Sequence, residues 1–340
     1  MPLQLTNATP FTAGCYPLTT RRGATFLRVV VKGGFDILGN GSLQPSAAQP
    51  PIVLEDQYWG EPAASSVRYE SDLILAKPGC DLVVHGQACA PSDRPVTRLA
   101  VGLSYCGRQL KTLQVTGDRY WQRGPLGLSL SSPRPFLRMD IVYDRAYGGA
   151  DDGDSEARNR VGMGYATKSS RLDGKPVPNI EYPDQLITST SDHPAPAGFG
   201  VVAKNWMPRM VYAGTYDDAW LEEQFPLLPD DFDERFFHSA AEDQWIAPPR
   251  GGEAIVVRGM RPEGDLAFAL PNCVVPACLR YASGDERRLM NPETVLVDTF
   301  GRRCVITWSA DADIHGDPFR LKEIVVGAGA AGTPKCCAGA

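Results

Sequence analysis

Apolar and polar residues alternate over short runs along much of the chain, the period of strands with one buried face. In FLRVVVKGGFDIL, Leu27, Val29 and Val31 share one face and Arg28 and Lys32 take the other, and Gly39-Asn40-Gly41 then supplies a turn. In VTRLAVGLSY, Leu99, Val101, Leu103 and Tyr105 alternate with Arg98, Ala100, Gly102 and Ser104. Cys106-Gly107-Arg108 is a tight connection and LKTLQV the returning strand, with residues 81–89 available as a third. The second half repeats the style at residues 253–258, 266–270, 294–298 and 304–309, and TFGRR joins the last two runs as a five-residue hairpin loop.

Helical spacing is confined to one short region. In TYDDAWLEEQFP, Thr215 or Asp217 can cap an N-terminus, and Asp218, Glu222 and Glu223 suit its early turns. Leu221 and Phe225 lie four apart beside Trp220, and Pro226 stops the helix. A shorter helix follows at 231–239, with Phe232 and Phe236 four apart. The expected fold is mainly β: antiparallel sheets, sandwich-like, with a few short helices and long ordered loops. The chain divides into an N-terminal β-rich part (1–149), an irregular connecting region rich in Asp, Gly, Pro and Ser (150–208), a C-terminal β-rich part with short helices (209–325) and a flexible tail (326–340). One continuous domain over 1–325 is the other arrangement the pattern allows.

Composition narrows the function. The 340 residues carry 34 Gly and 29 Pro, spread rather than clustered, which argues against a helical bundle or solenoid. A net charge of −6, with no basic run, makes nucleic acid and anionic membranes poor partners. No apolar run reaches the length of a membrane span, and IVVGAGAAG is too short and too rich in glycine. The N-terminus lacks a basic region followed by an apolar core, and nine cysteines are too sparse for a disulfide scaffold. A soluble, cytoplasmic protein in a reducing compartment is expected.

Signs of catalysis are few. The acidic pairs Asp217-Asp218, Asp230-Asp231 with Asp233, and Glu242-Asp243 sit where helices start or chains turn, so capping explains them better than acid–base work. Asp151-Asp152-Gly153-Asp154 lacks the spacing of a calcium loop. His85 with Cys80 and Cys89, and Cys273 with Cys278, lack the close gap of structural zinc; Cys80 is read as part of a Pro-Gly turn. There is no G-x-S-x-G and no phosphate-binding glycine loop, and none of the four histidines (85, 193, 238, 315) adjoins a nucleophile signature. No catalytic, cofactor or metal site is expected, and no enzyme activity. Aromatic residues, by contrast, concentrate between Trp206 and Trp245. Aromatics dominate cores and anchor interfaces. The candidates for partner binding are Tyr216, Trp220, Phe225, Phe232, Phe236 and Phe237, interleaved with acids.

Several long blocks, in order, carry a family resemblance. They include FLRVVVKGGFDI, EDQYWGEPAASSVRYESDLILAKPGCDLVVHGQACAP, RPVTRLAVGLSYCGRQLKTLQVTGDRYW, RMDIVYDRAYGG, PAGFGVVAKNW and AGTYDDAWLEEQFPLLPDDFDERFFHSAAEDQ. The chain resembles the type VI secretion effector adaptors, or chaperones, first described as domain of unknown function 2169. It departs from their pattern at Asn159-Arg160-Val161-Gly162, where Pro usually follows Asn, and at Gly34, where Thr is usual. The resemblance implies a non-enzymatic role. Such a protein would hold a secreted toxin effector and help load it onto a spike built from VgrG and a PAAR-type tip. Two other readings compete: a carbohydrate-active or carbohydrate-binding β-sandwich, and a structural component of the spike.

Overall fold

A computed structural model describes residues 3–125, 127–271, 274–314, 317 and 319–327. Its longest strands lie where alternation is strongest. Thr25–Ile37 and Arg303–Asp313 pair antiparallel from Asp36↔Arg303 to Phe26↔Asp313. Asn291–Asp298 follows on the other side of Arg303–Asp313, and Cys80–His85 lies parallel to it. Thr12–Thr19 and Trp245–Ile246 close the two ends, and Leu43–Pro45 pairs with the far end of Thr25–Ile37, giving seven strands. A five-stranded antiparallel sheet is built on the hairpin Arg98–Tyr105 and Arg108–Thr116, and a four-stranded sheet joins Gln4–Asn7 to Leu321–Val326, Pro276–Tyr281 and Gly284–Leu289. The fold is mostly β, with α-helix among the described residues limited to Met207–Met210 and Asp218–Glu223.

The hairpin expected at Cys106-Gly107 is present. Both residues have positive φ (50° and 76°), the geometry that matches the twist of the flanking strands. The hairpin at 299–302 also forms, one residue shorter than expected because Asp298 pairs with Arg303. Residues 81–89 behave differently from expectation. They do not extend the first hairpin, whose third strand is Ala254–Arg258. Cys80–His85 instead enters the large sheet between Asn291–Asp298 and the edge strand Trp245–Ile246, and Gln87–Cys89 pairs with Arg138–Asp140. Every residue of Cys80–His85 is buried, as a strand covered on both faces requires, and Cys80 opens this strand rather than lying in a turn.

One contiguous core links the sheets. Val29, Val31, Leu82, Val84, Val295 and Ile306 of the large sheet pack in the same cluster as Leu103, Leu113, Ile255, Leu279 and Ile324. Strands from before residue 150 pair with strands from after residue 208, so the irregular stretch between is not a linker between separate cores. It packs against residues that precede it as well as on itself. Trp121, Tyr147, Leu172, Val177 and Ile187 form a small cluster, and the fully buried Asn159 donates its amide to the carbonyls of Tyr143 and Tyr147. The expected tail begins at the end of strand Leu321–Val326; from residue 328 it lies outside the described residues, as do Cys273, His315 and Cys336-Cys337.

The second face of the large sheet is covered too. Val83, Leu296 and Val305 on that face pack with Val67, Val201, Val202 and Trp206. Arg28 and Lys32, expected on a polar face, are therefore buried. Arg28 pairs with Glu293 and with Asp311 (2.7 Å), and Lys32 with Asp72 (2.7 Å). Gly34 lies on this face as well. A Cβ there would sit 2.8 Å from Pro50 Cδ, so the glycine that replaces the usual Thr lets the Pro50-Pro51 strap lie directly against the sheet.

Candidate functional site

The structure splits the six candidate aromatics into two groups of rings. Asp217 caps helix Asp218–Glu223 by accepting from the Trp220 backbone N–H at 2.9 Å, as its position suggests. Trp220 then contacts Tyr216 edge-on at 4.7 Å and Phe225 at 5.6 Å between centroids. The group projects into solvent: Phe225 is 63% exposed, Leu221 57% and Tyr216 50%. Only Trp220 is half-buried, its indole N–H donating to the Leu227 carbonyl at 2.9 Å. Asp217, Asp218, Glu222 and Glu223 stand around it, all exposed.

Phe232, Phe236 and Phe237 meet within 5.3–6.0 Å and turn inward. Phe232 is buried, so it belongs to the packing and not to a free surface; Phe236 and Phe237 are half-buried. Asp233 caps the 3-10 turn Glu234–Phe237. Arg209 locks the turn from below. Its guanidinium donates to the Phe236 carbonyl (2.7 and 3.0 Å) and to Glu70 (2.8 Å).

Next along the chain, His238 and Ser239 dock on the sheet. Asp81 accepts from the His238 Nδ1–H at 2.6 Å, the Ser239 hydroxyl at 2.8 Å and the Lys77 ammonium at 2.5 Å. An Asp, a His and a Ser thus meet, but both His and Ser donate to the carboxylate, and the His238 ring stacks on Trp245 at 4.1 Å. The serine proton is committed to Asp81 and not to an imidazole base, which is the wiring of a structural anchor. Burial works against the Asp81 charge, yet Lys77 and the His238 hydrogen bond hold its carboxyl well below the usual range. Among the described residues no group of three or more His, Cys, Asp or Glu is placed to hold a metal ion, and no helix is long and apolar enough to cross a membrane.

A cavity of about 280 Å³ opens between this face of the sheet and residues 50–77. The strand register arranges its floor in rows. Val305, Leu296 and Val83 stand side by side as an apolar row. Lys32, Thr307 and Thr294 form a polar row on one side, and Arg303 and Asp298 one on the other; the same rows continue, outside the cavity lining, to the buried Asp81 and His85. Arg68, from the covering segment, lies over the rings of Trp59 (4.5 Å) and Tyr69 (5.1 Å). Those two rings also meet His85 edge-on at 5.1 and 5.2 Å. Burial, and secondly the Arg68 charge, push the His85 imidazole down to about 3, so it is neutral at pH 7.

The sequence profile of a family described as "Uncharacterized protein conserved in bacteria (DUF2169)" matches residues 22–309. The chain belongs to the DUF2169 family. No curated protein and no solved structure matches it. In this DUF2169 protein, reading the sequence for chemistry found the exposed aromatics and missed the cavity. The hairpin through TFGRR joins Leu296 to Val305, but Arg68 and Val83 are far from both in the chain, and neither a motif nor a local period links them. The one signal available was the density of Tyr58, Trp59, Arg68 and Tyr69 around a Pro-Ala-Ala-Ser-Ser stretch.

Proposed function

We propose that this protein is an adaptor that grips another protein, and specifically that it holds a secreted toxin effector and presents it to the VgrG/PAAR spike of a type VI secretion system. The reading rests on the long ordered resemblance to such adaptors, and membership of a bacterial family agrees with it. The observation that carries it is the exposed group of Leu221, on the short capped helix Asp218–Glu223, with Tyr216 and Phe225 at its two ends, rimmed by acids. A few aromatic anchors inside a polar rim supply most of the energy of typical interfaces. An interface of roughly 1,600 Å² spans affinities from micromolar to picomolar, a range that permits both holding and release. The rim favours a partner with a basic, apolar face.

The test is capture from the native bacterium. The full-length protein and a Leu221→Ser/Phe225→Ser variant are tagged, and co-purifying proteins are identified by mass spectrometry. Recovery of a toxin, a VgrG or a PAAR-type protein by the wild type, and its loss with the variant, is the expected result. Equal recovery by both would remove this face from the reading, and turnover of a sugar by the purified protein would replace the adaptor role with the carbohydrate reading.

A further inference from the structure

We infer that the cavity over the large sheet is a second binding site, built to take the C-terminal carboxylate of a partner chain ending in an apolar residue. The inference deepens the adaptor reading and rests on its claim that the ligand is a protein. Its basis is one cation on the cavity wall that has no partner. Each carboxylate on the cavity wall is already engaged. Asp72 holds Lys32 and the Val53 backbone N–H, both at 2.7 Å, and Glu70 holds Arg209 at 2.8 Å. Glu293 holds Arg28, and Asp298 accepts from the Phe300 backbone at 3.0 Å. The cations Lys32, Lys77 and Arg303 are matched by Asp72, Asp81 and Asp36.

Arg68 is different. Among the described residues it makes no ion pair, and its buried Nε has no hydrogen-bond partner. It is nonetheless held in place, since its guanidinium carbon lies over the rings of Trp59 (4.5 Å) and Tyr69 (5.1 Å) and the His85 ring behind them is neutral. A guanidinium oriented on aromatic faces presents its N–H groups edge-on, the arrangement that binds a carboxylate with two parallel hydrogen bonds. The apolar row of Val305, Leu296 and Val83 lies on the floor of the same cavity. A chain terminus offers a carboxylate and an apolar side chain on one carbon, which suits an unmatched cation above an apolar floor. The volume, about 280 Å³, lies just under the roughly 300–1,000 Å³ of small-ligand clefts. It accommodates one or two residues and not a helix.

The probe is a fluorescein-labelled pentapeptide ending in valine-leucine, titrated by anisotropy with the full-length protein, as the free acid and as the C-terminal amide. The acid is expected to bind at least about tenfold more tightly, because the amide cannot accept two charge-assisted bonds. Arg68→Gln should abolish that preference, and Arg68→Lys, which keeps the charge but loses the paired geometry, should retain part of it. Equal binding of acid and amide to the wild-type protein overturns the inference without recourse to any variant. So does absence of binding, or hexanoate competing as tightly as the peptide, which would assign the site to a small acid. The two readings fail separately. Capture of an effector that is unchanged in Arg68→Gln sinks the cavity inference alone, whereas a wild type that binds the peptide acid but captures no cellular protein sinks the adaptor reading alone.

Discussion

Tyr216, Trp220 and Phe225 form one chain of touching rings, and Phe232, Phe236 and Phe237 form another a few residues later. Their composition is alike, and acids flank both. The first group stands in solvent and the second turns inward. The cause lies in the neighbouring backbone. The second group runs directly into His238 and Ser239, which are fastened to Asp81 on an interior strand of a seven-stranded sheet, and Arg209 ties its turn to Glu70. The first group is held by shorter ties within the same projection, such as Thr215 to Asp231 (2.8 Å) and the Trp220 indole to Leu227. Aromatic density therefore does not decide between core and interface; the polar anchors beside the rings do.

The strongest way to break this comparison is to remove the anchor. Asp81→Ala leaves the Lys77 ammonium buried without a counter-charge and takes away the acceptor for His238 and Ser239. Deleting one partner of a buried pair costs about 3–5 kcal/mol. Urea unfolding should show a loss of that size, and a loss below about 1 kcal/mol would mean that the anchor does not set the fate of the second group. Phe232→Ala follows, with about 3 kcal/mol expected from the buried ring and the cavity left behind. The same measurement checks it.

Acid sharpens the contrast, because the anchored side keeps His85 and Asp81 out of water. His85 is neutral when folded, with its pKa pushed down to about 3, whereas an unfolded histidine titrates near 6.5. Between these values the unfolded chain binds the extra proton, so stability falls as pH falls, by about 1.4 kcal/mol per unit. Going from pH 6.5 to pH 5 should cost about 2 kcal/mol through this residue. Asp81 has the same sign in a lower window. Its depressed carboxyl stabilises the fold above the unfolded value near 3.9 and loses that contribution below it. His85→Leu should flatten the loss between pH 6.5 and pH 5 and leave the lower step in place. An unchanged slope in denaturant melts across that range would show that His85 is not held neutral.

What the sequence revealed follows the same division between local and remote causes. The Asp217 and Asp233 caps, the turn at Cys106-Gly107 and the strand over residues 26–37 depend on neighbours a few positions away, and all were readable. Alternation placed Arg28 and Lys32 opposite Leu27, Val29 and Val31 but could not tell a solvated face from a covered one. Their cover comes from residues 50–77 and from Glu293 and Asp311, far along the chain. For the same reason residues 81–89 were readable as strand but not as the parallel neighbour of Asn291–Asp298. The cavity, assembled from remote segments, left no local trace beyond the aromatic residues around Arg68.

The smallest expected effect on stability is the most telling for function. Phe225 contacts Trp220 edge-on and is otherwise open to water, so Phe225→Ser removes one ring contact and little buried area. Exposed substitutions of this kind usually stay within about 0.5 kcal/mol. If Phe225 is an interface anchor, the same change should weaken capture of the partner by tenfold or more, since truncating a buried aromatic hot spot costs about 2 kcal/mol or more. Thermal unfolding and quantitative capture on the same preparation separate the two quantities. A variant that melts like wild type and binds like wild type would leave the exposed rings without a partner-binding role. A variant that loses as much stability as Phe232→Ala would place Phe225 in the packing, and the contrast between the two ring groups would disappear.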